Sequence, residues 1–279
     1  MQAKKSLIVV TWDGKSKPLN YIYIDAERKF DLFIFDHSAQ DHSEALKELN
    51  PTYYLSTRTE NKGQVFFEVF KHLYSNNETR YEYVGVLDDD IYTSYSDLNK
   101  LLFIGAMNEL DVFQPCIAHD SYYDHRQFTH KPGYQIKEEN WVEIMAPFYK
   151  ESLFKAAGPY FDETISGQGV DVYLMPCLQR IQGLTKTAVV HEIQVKHCRP
   201  VQSGKRLYSN GKSNVQEIAH IREMSIALIN EQPQFFDEAF KSNIIDDIYA
   251  KDIPLSRKWN RLKFLFKNLY KEIVNLSYR

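Results

Sequence analysis

A chain of 279 residues, 43% hydrophobic and 25% charged, has the composition of a soluble globular protein and ample material for a core. Its net charge of -3 excludes a whole-chain electrostatic case for nucleic-acid binding. The length allows one large domain, or a domain with an extension.

Taken in chain order, strand-like and helix-like segments alternate. Leu7 to Trp12 is a β-branched apolar run that stops at Asp13-Gly14, a turn signal. It is too short for a signal peptide or a membrane span, so it predicts a first strand and a cytoplasmic protein. Phe30 to Phe35 predicts a second strand, ending at Asp36-His37-Ser38, and Thr52 to Ser56 a third. Gln64 to Tyr74 has helical spacing, with Val65, Val69 and Leu73 recurring every four residues. Tyr83 to Leu87 predicts a strand, Ser96 to Leu110 a helix, Asp111 to Gln114 a strand, and Trp141 to Ala146 a strand closing at Pro147. Lys150 to Ala157 predicts a short helix that stops at Gly158-Pro159. Val170 to Gln182 predicts another helix, and Thr187 to Val195 another strand. This alternation argues for an α/β fold with a mostly parallel sheet flanked by helices. Ligands of such sheets sit outside the carboxyl ends of the strands, where Asp13, Asp36 and Asp88 to Asp90 all fall.

The character changes near residue 200. Gln202 to Asn214 is polar and predicts a loop, and the pattern is helical from Val215 onward. Two regions follow: a domain over 1–200, and a loop with a C-terminal helical extension over 201–279. The last stretch, Ile253 to Arg279, is basic and amphipathic. Its stripe is Trp259, Leu262, Phe266, Leu269, Ile273 and Leu276. Such a helix docks on its own domain, or meets an anionic membrane as a peripheral contact on the inner face. The 3 cysteines, Cys116, Cys177 and Cys198, match no zinc or redox spacing and predict inert thiols in a reducing compartment.

The most informative feature is Asp88-Asp89-Asp90, placed with no gap after the apolar run Tyr83 to Leu87. Carboxylates packed that closely repel, which favours a bound cation or a shifted pKa. Oxygen ligands suit Mg²⁺ or Mn²⁺, and such a metal commonly holds substrate phosphates. A second signal is Gly167-Gln168-Gly169-Val170-Asp171. The glycines allow a tight turn, and Asp171 in a first helical turn could act as a general base or simply cap the helix. The third is His191 and His197, six residues apart on one strand, so both point to the same face. Either could complete a metal shell begun by the aspartates. Arg199, beside His197, suits a diphosphate.

Leu87-Asp88-Asp89-Asp90-Ile91, Val142-Glu143-Ile144-Met145-Ala146-Pro147 and Gly167-Gln168-Gly169-Val170-Asp171 together resemble a plant and bacterial family. That family carries D-D-D-I, V-E-x-M-A-P and G-x-G-x-D segments in this order. More broadly the chain resembles the GT-A glycosyltransferases over about residues 5 to 200. The resemblance implies a Rossmann-like GT-A domain, a divalent-metal cofactor (Mn²⁺ or Mg²⁺), a nucleotide-sugar donor and a glycan or lipid-linked glycan acceptor. It implies metal and diphosphate binding by Asp88 and Asp90, with Asp89 near the ribose or sugar. It implies Asp171 as the base of an inverting enzyme, His197 as a late metal ligand, and a nucleotide pocket near Trp12, Asp36 and Lys62-Gly63. Two other readings stand beside it. One is a Mg²⁺-dependent phosphatase of the haloacid-dehalogenase type, which expects Thr or Val where this chain has Tyr92. The other is a non-catalytic carbohydrate-binding protein of the same fold.

Overall fold

The structure is a computed structural model that describes residues 5–75, 80–200 and 207–245. Its centre is a mixed sheet. Strands β1 (Leu7–Trp12), β3 (Asp31–Asp36), β4 (Tyr53–Ser56) and β5 (Tyr83–Leu87) run parallel, in the order β5-β1-β3-β4. Beyond β5 the order continues through β9 (Phe148–Lys150), antiparallel to both neighbours, to β7 (Val112–Ile117) and β10 (Thr187–His197). The short strands β6 (Ile91–Ser94) and β2 (Ile22–Tyr23) extend one edge, and β8 (Ile136–Glu138) pairs with β10.

Every residue of β1 and β5 is buried, which is why both read as unbroken apolar runs. Alternate residues of β1 serve opposite faces. Leu7 and Val9 join one core with Val65, Phe66 and Val69 of α1 (Lys62–Tyr74) and Phe154 of α3 (Glu151–Ala157). Ile8 and Val10 join the other, with Leu98 and Leu101 of α2 (Tyr95–Met107). The first core also takes Leu178 of α4 (Met175–Ile181), Ile221 and Leu228 of α5 (Asn214–Glu231), and Phe240 of α6 (Glu238–Ile245). Thus α5 and α6, which follow residue 200, pack on the same core as the sheet.

The predicted strand over Trp141 to Ala146 is not one. These residues form an irregular segment, and the strand begins only at Phe148. The reason is where the backbone donors go. Glu143 N–H is bound by the side chain of Gln114, and Ile144 N–H by Asp171, so neither enters a ladder. The helix predicted over Val170 to Gln182 is divided into a π-helical turn, Val170–Leu174, and α4. Pro176 cannot donate and crowds the carbonyl four residues back, so the chain widens there. After α3 the chain does not stop at Pro159 but tightens into a 3₁₀ turn, Gly158–Glu163. Strands β2, β6 and β8 were not legible in the sequence.

The amphipathic stripe over 253–279 lies outside the described residues. Among the described residues, no helix is long and apolar enough to cross a membrane. Cys116 and Cys177 are buried free thiols, and burial pushes the pKa of each up to about 12, as inert thiols require.

Candidate functional site

Strands β1, β3 and β5 end together: Trp12 is level with Asp36, and Val10 with Leu87. Asp36 is buried, and its carboxylate accepts from Tyr54 Oη (3.0 Å) and Ser38 N–H (2.8 Å) and pairs with His42 Nδ1 (2.7 Å). Burial raises its pKa, but these hydrogen bonds outweigh that and hold the carboxyl below its ordinary value. Trp12 is also buried and donates Nε1–H to the Ser16 carbonyl at 3.0 Å. Both therefore line the strand ends as parts of a packed, internally satisfied corner.

The aspartates lie on the turn between β5 and β6. Because Ile91 pairs with His197 across β6 and β10, the turn sits beneath the end of β10. Asp90 Oδ2 lies 3.0 Å from His197 Nε2 and 3.0 Å from Arg199 Nε. Arg199 also ion-pairs with Asp89, and Lys62, on the first turn of α1, ion-pairs with Asp88. Cys198 N–H donates to the Asp90 carbonyl at 3.0 Å. Repulsion within the cluster is thus already offset by Lys62, Arg199 and His197. Burial raises the Asp90 pKa, yet His197 and Arg199 outweigh it and hold the carboxyl below its ordinary value. For His197 burial lowers the pKa, and Asp90 outweighs that in the other direction. Asp89 stays raised by burial, against the pull of Arg199.

By type these donors suit a hard divalent cation, although among the described residues the side chains whose ligand atoms already lie close enough to share one ion are Cys116, His130 and His191. His197 Nδ1 lies 3.1 Å from the Tyr122 carbonyl, which can only accept, so Nδ1 carries the proton and Nε2 faces Asp90 with its lone pair when the ring is neutral. That is the second-sphere arrangement that prepares a histidine for metal. Carboxylate oxygens of Asp88 and Asp90 with one imidazole suit Mn²⁺ or Mg²⁺. His191 does not reach this cluster. It is buried farther back on β10, beside Cys116 and His130, where its Nδ1 accepts from Lys131 N–H at 3.2 Å.

Asp171 enters from the other side, in the π-helical turn after two left-handed glycines, Gly167 (φ 74°) and Gly169 (φ 88°). The loop before it packs on the start of α1. Gly63 N–H donates to the Ile165 carbonyl at 3.0 Å, and a Cβ on Gly63 would lie 2.1 Å from the Thr164 carbonyl oxygen. Asp171 is buried and accepts from Ile144 N–H (3.1 Å) and Val172 N–H (3.0 Å). Burial raises its pKa to about 6, against those backbone donors. That places it near the operating range of a general base.

Two acids at the site were missed in the sequence. Glu143 is buried on the irregular segment before β9. Its pKa is pushed well above the ordinary value by burial first, and then by Asp124, Asp171 and Asp88. It stands in the V-E-x-M-A-P segment, but a strand reading of that segment hid its position. Glu217, on the first turn of α5, is fully buried against the loop before Asp171. Nothing local in the sequence marks it.

No family model matches this chain, and no curated protein matches it. Solved structures do. Residues 1–349 of S. aureus TarS, in complex with UDP-GlcNAc, are similar at a TM-score of 0.60 and 13% identity, over 91% of this chain and 74% of that one. GalNAc-T7 with UDP, GalNAc and Mn²⁺ is similar at 0.57 and 11% identity, over 90% of this chain and 57% of that one. Both neighbours are GT-A glycosyltransferases.

The fold is GT-A. In this GT-A sheet Asp88 to Asp90 and His197 gather at one end, and the segment over 143–145 joins that cluster to Asp171.

Proposed function

We propose that the protein is a divalent-metal-dependent glycosyltransferase. It moves a sugar from a nucleotide-sugar donor to a glycan or lipid-linked glycan acceptor, with inversion at the anomeric carbon. One observation carries this reading. A cation-neutralised carboxylate cluster and a separate buried carboxyl with a raised pKa converge on one end of a GT-A sheet, linked by a single segment. TarS with UDP-GlcNAc and GalNAc-T7 with UDP and Mn²⁺ support it as proteins of the same fold.

In this reading Asp88, Asp90 and His197 would hold a divalent metal, and Asp89 would lie toward the ribose or sugar. When bound there, such a metal would supply Lewis-acid charge to the departing diphosphate. Lys62 and Arg199 already face the carboxylates, and they turn to the phosphates when a donor arrives, where guanidinium and ammonium bind well. Trp12 and Asp36 form the wall on the nucleotide side. Asp171 takes the proton of the acceptor hydroxyl. That oxygen then forms its bond to the anomeric carbon, while the bond from that carbon to the diphosphate oxygen breaks and the diphosphate leaves with the electron pair.

The test is binding and turnover with UDP-Glc, UDP-Gal, UDP-GlcNAc, UDP-GalNAc and GDP-Man, in Mn²⁺ and in EDTA. Thermal stabilisation by at least one donor in Mn²⁺, lost in EDTA, together with slow release of the nucleoside diphosphate, is expected. Asp90→Ala should abolish the metal-dependent shift and still fold. Stabilisation by no donor, or a shift in Asp90→Ala equal to that of the wild type, overturns the reading.

A further inference from the structure

Glu143 has no part in the mechanism above, yet it occupies a defined place in it. The segment that carries it ties the two ends of the site together. Asp88 N–H donates to the Met145 carbonyl at 3.1 Å, and Ile144 N–H donates to Asp171 Oδ2 at 3.1 Å. Glu143 N–H is held by the side-chain oxygen of buried Gln114. The backbone around Glu143 is thus fixed from three sides. Its side chain is buried, and among the described residues Oε2 has no hydrogen-bond partner. Buried polar oxygens are normally paired, so this one calls for a ligand atom.

The geometry of the reaction says which ligand. The anomeric carbon of the donor is bonded to the diphosphate, at the Asp88 end, and is attacked by the acceptor oxygen, at the Asp171 end. The transferred sugar must span the distance between them. Glu143 lies on the segment that joins those two ends. Burial, and after it the charges of Asp124, Asp171 and Asp88, push the pKa of its carboxyl well above the ordinary value, and the protonated form that this favours offers one O–H donor and one acceptor oxygen. A sugar hydroxyl offers the same pair in return.

We propose that Glu143 binds a hydroxyl of the transferred sugar and is a specificity-determining residue for the donor. This rests on the glycosyl-transfer reading. A site built to hydrogen-bond a hydroxyl rejects an analogue that lacks or misplaces it, because its buried groups are then left unpaired.

The experiment titrates the full chain in Mn²⁺ with two probes, UDP alone and the UDP-sugar that the wild type binds best, with GDP and GDP-Man as a second pair. Glu143→Ala is expected to weaken UDP-sugar binding by about tenfold or more, as loss of one buried hydrogen bond does, with UDP affinity within about twofold of wild type. Glu143→Met keeps the approximate size but removes both the donor and the acceptor. It is expected to shift the preference between the epimers UDP-GlcNAc and UDP-GalNAc, or UDP-Glc and UDP-Gal, by about tenfold. Equal weakening of UDP and UDP-sugar, or an unchanged UDP-sugar affinity, overturns the assignment. If Glu143→Ala does not fold, the epimer ratio of Glu143→Met decides, and an unchanged ratio overturns it. A wild-type protein that binds neither the diphosphates nor their sugars removes the glycosyl-transfer reading itself, which is a separate failure.

Discussion

Ser166 N–H donates to the buried carboxylate of Glu217 at 2.7 Å, so helix α5 holds the loop that presents Asp171. The same carboxylate accepts from Ile165 N–H (3.0 Å), Thr164 Oγ1 (2.9 Å) and Asn210 Nδ2 (2.9 Å). A helix that follows residue 200 therefore belongs to the machinery of the site.

Glu217→Gln should destabilise the fold. An amide must turn its NH₂ group toward donors that now face a carboxylate, which costs about 2–3 kcal/mol. Burial raises the Glu217 pKa, but the donors from Ser166, Asn210 and Ile165 outweigh it and hold the folded value below 4.5. A depressed folded pKa contributes stability that is present above the unfolded value and lost as pH falls through the folded one. The difference in Tm between wild type and Glu217→Gln should accordingly be large at pH 7 and shrink below pH 4.5. A difference that stays constant across that window counts against the carboxylate as the cause.

Asp171→Asn should leave donor binding intact and lower turnover by ~10²–10⁴-fold, as the loss of a general base does. The base must be ionised, so wild-type kcat should fall as pH drops through about 6. The stability effect has the opposite sign. The folded pKa of about 6 lies above the ordinary value of 3.8, so the folded state holds the proton more tightly. That contribution is fully present below pH 3.8 and is lost by pH 6, on the order of 3 kcal/mol over two pKa units. Asp171→Asn does not titrate. Its Tm relative to wild type should rise between pH 4 and pH 7, as calorimetry would show. Full turnover in this variant removes Asp171 from the role of base.

Lys62→Ala should separate metal binding from nucleotide binding. Lys62 is buried against Asp88 and competes with any cation for that carboxylate. Without it, Mn²⁺ alone should bind more tightly. UDP in the presence of Mn²⁺ should bind about tenfold more weakly, for want of a charged partner to the diphosphate. Calorimetric titration of both ligands reads the two effects. If Mn²⁺ and UDP affinities fall together, Lys62 supports the fold of the cluster and does not compete with metal.

Gly63→Ala should damage the site from the back. The new Cβ would lie 2.1 Å from the Thr164 carbonyl oxygen and 2.8 Å from Gly167 N, both backbone atoms with little room to yield. A cost of about 3 kcal/mol is expected for such overpacking, with weakened donor binding because the loop before Asp171 must shift. Gly133→Ala is the control. Its φ of 90° imposes strain, but nothing lies within 4 Å of the new Cβ. A cost of about 1 kcal/mol, with donor binding unchanged, is expected there. Similar losses of donor binding in the two variants would show that crowding at Gly63 is not the cause.

The sequence by itself determined the buried frame and the clusters of reactive groups carried on it. Strands β1 and β5 were legible to the residue, because strands buried on both faces are continuous apolar runs, and both end where an aspartate begins. Helix α1 was legible from its four-residue spacing. The aspartates, the Gly-x-Gly-x-Asp turn and the His197–Arg199 pair were visible as local clusters of reactive groups. Tertiary structure alone decided what neutralises those aspartates. Lys62 is 26 residues from Asp88, and Arg199 is 109 from Asp90. It alone decided that Trp141 to Ala146 is not a strand, since the partners of Glu143 and Ile144 are side chains 29 and 27 residues away. It alone placed Glu143 between Asp88 and Asp171, and Glu217 beneath the loop over 164–167. Local periodicity records which face of an element is apolar. It carries no record of which distant side chain will claim a backbone donor, and at this site those long-range hydrogen bonds and ion pairs set both the geometry and the charge.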